Sequence, residues 1–204
     1  MAEHVAKSYE HLQGKLQGIS NPQLAAHLTL YQGYVKKLNE IWEKLPRTDR
    51  ALVNYSFGDY SELRRREPVA YNGTVLHELY FDGLGPDGQP SPELKKAIET
   101  AFGSYDAWVQ DFKACGASAH GWVLLGWDPL RNQLANNLIH GEHHVGLFAG
   151  YQPILALDVW EHAYFLDYQT KKGDYLSAYF KNLNWKTINE RYARGAAAAH
   201  AASR

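Results

Sequence analysis

The chain has 204 residues and a formal net charge of −1, from 21 Lys and Arg against 22 Asp and Glu. That length supports one or two domains with a real core, and the charge balance excludes the basic footprint of a nucleic-acid-binding protein. One cysteine, Cys115, excludes an intrachain disulfide framework and a multi-cysteine metal site, so any metal chemistry must use the ten histidines and the carboxylates.

Taken in chain order, the first residues, MAEHVAKSYEHLQGKL, hold no apolar signal core. No later run is apolar enough for a membrane span. The expectation is a cytoplasmic protein in a reducing compartment, with neither membrane nor nucleic acid as partner. Pro22, just after Ser20 and Asn21, opens a helix. Over residues 23–45 the positions Leu24, His27, Leu28, Tyr31, Tyr34, Val35, Leu38, Ile41 and Trp42 recur at helical spacing, and Pro46 ends the run. Arg64, Arg65 and Arg66 lie between Glu62 and Glu67 and read as a solvated surface run. A second helix is expected from about Pro68 to residue 84. The segment GLGPDGQP follows, dense in Gly and Pro, and marks a domain boundary.

Pro92 opens a third helix through Phe102, and YDAWVQDFKACGAS reads as a fourth. GWVLLGW, QLANNLI and YQPILAL read as three strands, with the turn DPLRN between the first two. Helix is expected again from about Val159, then near 174–180 and 185–194. The tail GAAAAHAASR is low-complexity and expected to fray. The predicted class is α+β. An N-terminal helical hairpin domain, residues 1–88, precedes an α+β domain, residues 89–204, whose small three-stranded antiparallel sheet is packed with helices.

The stretch LDVWEHAYFLDY places Asp158, Glu161 and His162 straight after an apolar strand. Buried carboxylates need a partner or a metal. Asp158 to His162 is an i, i+4 step, which turns both side chains to one side at the start of a helix. The bland readings are an N-capping Asp and a hydrogen-bonded core His. His27 on the apolar stripe of the first helix and His77 on that of the second argue for more. A neutral imidazole in each arm of a hairpin is costly without a shared partner, and three imidazoles with one carboxylate suit a first-row metal.

DVWEHAYFLDYQ closely resembles the metal-site motif of the iron/manganese superoxide dismutases. The resemblance extends over nearly the whole chain, through ISNPQLAAHLTLYQGYVKKLN, LHELYF, FGSYDAWVQDFKACGASAHGWVLL and LNWKTINERY. It implies one Fe or Mn ion per chain, held by His27, His77, Asp158 and His162, with a solvent molecule as fifth ligand. It implies Tyr34 at the mouth of the substrate channel and Trp122 and Trp160 as pocket walls. Glu161 would reach across a dimer interface to the back of the partner subunit's His162. The implied activity converts superoxide to dioxygen and hydrogen peroxide by one-electron metal cycling, in a homodimer or tetramer. With no overall charge attraction for the anion, steering would fall to Lys36, Lys37, Lys171 and Lys172. The alternatives are a non-catalytic metal-binding or structural member of the fold and a different metal oxidoreductase on the same scaffold.

Several positions depart from the family pattern. The family usually has eight residues from the first His ligand to the gateway Tyr, whereas His27 to Tyr34 is seven. Seven steps return to within about 20° of one helix face, while eight miss by about 80° and need a bulge. A regular helix is therefore expected here. Leu30 and Phe165 stand where an interface His–Tyr pair is usual, and Phe81 and Leu124 stand at two Trp positions. Gly73 replaces a glutamine that supports the metal's solvent in many iron enzymes. His143 is the expected substitute, catalytic alongside Tyr34, with Gly73 leaving room for it. His140 and His144 read as an exposed His-rich turn.

Overall fold

Ser20 accepts a hydrogen bond from the Gln23 backbone N–H at 3.2 Å, and Pro22 occupies the first turn, so the first helix starts where its cap dictates. The computed structural model describes residues 3–202, with side chains through residue 195. In it that helix, α1, spans Asn21–Lys44 and buries Leu24, His27, Tyr31, Val35, Leu38 and Ile41 along one face. It is α-helical throughout, with no π turn between His27 and Tyr34, as the seven-residue spacing requires.

The second helix, α2, spans Asp59–Asp82 and begins well before Pro68, where the sequence reading placed its start. Pro68 sits exposed inside the helix. It leaves the Arg64 carbonyl without its intrahelical N–H, and at a solvated position water can take that role. Arg64, Arg65 and Arg66 are exposed, and Arg64 and Arg65 pair with Glu67 and Glu62 on the same helix. Helices α1 and α2 pack on each other as a hairpin. Polar contacts to Glu78 and Asp82 of α2 join it to α1 and to the chain before α1. The Tyr31 hydroxyl donates to Glu78 at 2.8 Å, His4 meets the same carboxylate at 2.6 Å, and the Tyr9 hydroxyl donates to Asp82 at 2.9 Å.

Leu84 and Asp87, in the Gly/Pro-rich connection, form β-bridges to Leu183 and Asn184. Helices α3, Pro92–Phe102, and α4, Tyr105–Ser118, are capped by Ser91 and Ser104 and match their expected bounds. Strand β1, Gly121–Asp128, lies between β2, Gln133–His140, and β3, Gln152–Asp158, antiparallel to both. As the central strand it is buried almost continuously. Gly121, at φ +154°, passes so close to the Ile139 carbonyl that no Cβ fits, and its own carbonyl accepts from the Val159 N–H at 2.9 Å.

The helix expected from Val159 does not form. Residues Glu161–Ala163 make one 3-10 turn, followed by the short α5, Phe165–Tyr168. The Asp158 Oδ1 accepts from the Trp160 N–H at 2.9 Å, holding Trp160 extended at φ −66°, ψ 150° and delaying any helix. Helices α6, Lys172–Lys181, and α7, Trp185–Ala202, complete the chain. The alanine-rich tail is helical through Ala202 instead of frayed, in keeping with alanine's helix propensity; Ser203 and Arg204 lie outside the described residues. The main core joins hairpin residues Tyr31, Leu76 and Phe81 to Trp108, Phe112, Leu125 and Leu155 from the sheet and its helices.

Candidate metal centre

Four side chains from four elements meet where the hairpin faces the end of β3. His27 comes from α1, His77 from α2, Asp158 from the last position of β3, and His162 from the 3-10 turn. Asp158 Oδ2 lies 3.1 Å from His27 Nε2, 3.1 Å from His162 Nε2 and 3.6 Å from His77 Nε2. One donor atom from each residue lies within 4.8 Å of all the others. His27, His77 and Asp158 are 2%, 1% and 0% exposed, so water contributes little to their solvation.

The far side of each group sets its orientation. His77 Nδ1 donates to the Gly73 carbonyl at 2.5 Å, which leaves Nε2 as the bare nitrogen. That Nε2 is buried with no hydrogen-bond partner among the described residues, a costly state unless its lone pair binds a cation. Asp158 Oδ1 is satisfied by the Trp160 N–H, which leaves Oδ2 to the cluster. Burial pushes His77 down to about 3 and lowers His27, so both stay neutral. Burial would raise Asp158, but the charge and hydrogen bond of His162, with those of His27, outweigh it and hold the carboxyl below its ordinary range. His162 is less buried; desolvation lowers it, but the charge and hydrogen bond of Asp158 together outweigh that and raise it. A carboxylate facing two neutral imidazoles, with a third in His162 that binds a cation once its proton is displaced, is the donor set a di- or trivalent first-row ion requires, so the residues present fit one metal.

Three supporting residues escaped sequence reasoning. Gln23 is 1% exposed; its Nε2 donates to the His162 carbonyl at 2.6 Å and its Oε1 accepts from the Leu166 N–H at 3.0 Å. It thereby clamps the turn that carries His162 and the start of α5 together. Its only signal was position, one helical turn before His27 and on the same face. The Tyr175 hydroxyl donates to the Asp158 carbonyl at 2.7 Å and lies 3.1 Å from the Tyr80 hydroxyl, and the Tyr80 ring is 5.0 Å from that of His27. Nothing in the local sequence distinguishes these tyrosines from ordinary core residues.

The expected lining residues lie around the cluster. Tyr34 has its ring centre 5.3 Å from His77 and 5.2 Å from His143. Trp122 is fully buried and meets His77 edge to face at 5.0 Å. Trp160 runs parallel to His162 at 6.5 Å and packs on His120 at 4.3 Å. Phe81 touches His27 at 4.8 Å, and Leu124 is buried in β1. Glu161 and Phe165 are exposed on the turn and α5, while Leu30 is half-buried.

His143 is 4% exposed, His144 half-buried and His140 exposed, so the three do not form one uniform turn. His143 Nε2 lies 2.6 Å from the Val69 carbonyl and must be the donor, leaving Nδ1 as an acceptor in the neutral ring. The space over Gly73 is filled by the Tyr34 ring, not by His143 as the sequence reading had it. Of the candidate steering lysines, Lys172 donates to the Ala119 carbonyl at 2.7 Å and Lys37 pairs with Glu40 at 2.7 Å. Lys36 and Lys171 are exposed.

The family model described as "Iron/manganese superoxide dismutases, C-terminal domain" matches residues 90–191. The chain is 41% identical over 199 residues to an Fe superoxide dismutase of Aquifex aeolicus (strain VF5), covering 94% of this chain and 93% of that one. It is 38% identical to an Fe superoxide dismutase of Cupriavidus metallidurans, covering 88% and 91% of the two chains. It is 39% identical to Mn superoxide dismutase 2 of Haloferax volcanii, covering 81% and 82%.

Proposed function

Because this chain belongs to the iron/manganese superoxide dismutase family, we infer that its buried three-histidine, one-aspartate cluster is the working centre of a superoxide dismutase. The observation that carries the reading is the convergence of three imidazole Nε2 atoms on one oxygen of Asp158. His27, His77, His162 and Asp158 would hold a single iron or manganese ion; relatives named for iron and for manganese are nearly equally similar. When bound, the ion supplies one-electron redox chemistry, so that two superoxide anions and two protons become dioxygen and hydrogen peroxide.

The chain's own residues supply placement, charge and protons. Asp158 contributes the anionic charge that favours the higher oxidation state, and Gln23, Tyr175 and the Gly73 carbonyl fix the rings and carboxylate in place. Burial raises the Tyr34 phenol above its ordinary value, with Asp158 and Glu142 adding to the shift, so the group stays a hydrogen-bond donor at neutral pH. It can orient a small anion arriving beside His77. His143 can accept through Nδ1 while its Nε2–H stays committed to Val69, which gives the site a tuning group of fixed tautomer.

We also propose a homodimer, or a tetramer of such dimers, in which Glu161 hydrogen-bonds the partner subunit's His162. Glu161 is exposed on the turn that carries His162, and Phe165 and Leu166 beside it are 46% and 62% exposed, an apolar surface suited to burial against a second copy. A strictly monomeric protein with full activity would overturn this arrangement.

Metal analysis and superoxide consumption, measured on the wild type and His77→Ala, test the function. The wild type should carry about one iron or manganese per chain and consume superoxide, and His77→Ala should lose both while keeping its circular dichroism spectrum. Full metal and activity in His77→Ala would remove His77 from the site. A wild type that binds metal without consuming superoxide would favour the non-catalytic alternative.

A further inference from the structure

Gly73 lies in the middle of α2, with an ordinary helical φ, where alanine would be the better helix former. Backbone conformation therefore does not call for glycine; space does. A Cβ built on residue 73 would fall 2.7 Å from both Cγ and Cε1 of Tyr34 and closer still to Cδ1. Cγ is the root of the ring, so turning the ring about its own axis brings no relief. The side chain as a whole would have to move.

The Tyr34 ring is also walled in on its other sides. His77 stands 5.3 Å away and His143 5.2 Å away, and each is tied to a carbonyl of α2, His77 through Nδ1 to Gly73 and His143 through Nε2 to Val69. Residues 69, 73 and 77 follow at steps of four along one helix face. On that face the Val69 carbonyl anchors His143, the gap at Gly73 receives Tyr34, and His77 presents its nitrogen to the cluster. On the other helix, the seven-residue step from His27 turns Tyr34 onto nearly the same face, toward α2.

We propose that Gly73 is a positioning residue that seats the Tyr34 ring between His77 and His143, and that this seat and the shortened His27–Tyr34 step work as a pair. A regular helix with eight residues in that step, without a bulge to restore the face, would turn the tyrosine about 80° away and leave room for a side chain at position 73. The consequence for the site is access: a side chain at 73 pushes the phenol off its seat and alters how a small anion enters beside His77. This rests on the reading of His77 as a metal ligand, whereas its packing half does not.

A thermodynamic cycle tests it with wild type, Gly73→Ala, Tyr34→Ala and the double variant, all metal-loaded. Melting temperature is read on each, with azide affinity from optical titration and metal content as the second and third readouts. Gly73→Ala should lower Tm by roughly 3–8 °C through overpacking. In the Tyr34→Ala background the same change should raise Tm by roughly 2–4 °C, because only the helix-propensity gain remains. The azide dissociation constant should shift by about threefold or more in Gly73→Ala at unchanged metal content, with no shift between Tyr34→Ala and the double variant. A Gly73→Ala chain that fails to fold but is rescued by Tyr34→Ala also supports the pairing. Equal Tm effects in both backgrounds, or failure to fold in both, overturn it. A sign reversal in Tm with unaltered azide affinity makes Gly73 a packing residue only and overturns the positioning role. Because Tm needs no turnover, absence of dismutase activity would count against the functional reading alone.

Discussion

Gln23→Ala isolates the clamp on the turn that carries His162. The substitution deletes the donor to the His162 carbonyl at 2.6 Å and the acceptor for the Leu166 N–H at 3.0 Å, at a side chain only 1% exposed. Two lost hydrogen bonds are worth about 2 kcal/mol net, and the His162 carbonyl left without its partner adds about 1–3 kcal/mol, for a total of about 3–5 kcal/mol. At this chain length 1 kcal/mol corresponds to roughly 2–4 °C, so Tm should fall by roughly 6–20 °C. The His162 imidazole should also lose its fixed approach to Asp158, weakening metal affinity about tenfold to a hundredfold. Calorimetry with and without a chelator, together with metal competition, measures both effects. Gln23→Glu refines the test, because it keeps the shape and the acceptor for Leu166 but sets a carboxylate oxygen against the His162 carbonyl. If Gln23→Ala matches the wild type in Tm and metal affinity, the turn is held by its own backbone and the clamp argument fails.

His143→Ala should retain the metal but lower turnover about tenfold to a hundredfold, whereas His144→Ala, at a half-buried ring paired with Glu142, should be nearly silent. A loss carried by His144→Ala would show that the wrong histidine of the pair has been assigned; the check is metal content and dismutation rate for each. Stability should also fall in alkali. Burial raises the phenols of Tyr80, Tyr175 and Tyr179 well above their ordinary value, so the folded state resists their ionisation while the unfolded chain ionises near pH 10. Their contribution is complete below about pH 10 and is lost as pH climbs above it. Tm against pH should bend downward there, with phenolate absorbance from these residues rising only on unfolding. Phenolate absorbance from all three while the chain is still folded would refute it.

The helix α1 was legible because its signals are local. Ser20 caps it, Pro22 opens it, and its apolar positions recur with the period of a helix. The same holds for α3, α4 and the three strands, whose caps, turns and apolar runs lie within a few residues of the elements they bound. The four cluster residues were legible for a related reason. An ionisable side chain on an apolar stripe is an anomaly in one dimension, and His27, His77 and Asp158 each present it. Pro68 misled because a proline at a helix start and one on an exposed helix interior look alike until burial is known.

What only the tertiary structure decided are choices between groups that sequence makes equivalent. Asp158 Oδ1, by capturing the Trp160 N–H, turned an expected helix into a 3-10 turn. Gln23 became a clamp through a bond to His162, 139 positions away in the chain. The Val69 and Gly73 carbonyls selected the tautomers of His143 and His77, and the missing Cβ of Gly73 was taken by Tyr34. Local propensity and periodicity depend on neighbours within a turn or two, so they can be read along the chain. Hydrogen-bond partners and close packing depend on the distance between segments that meet only after folding, and those distances are set by the whole core at once.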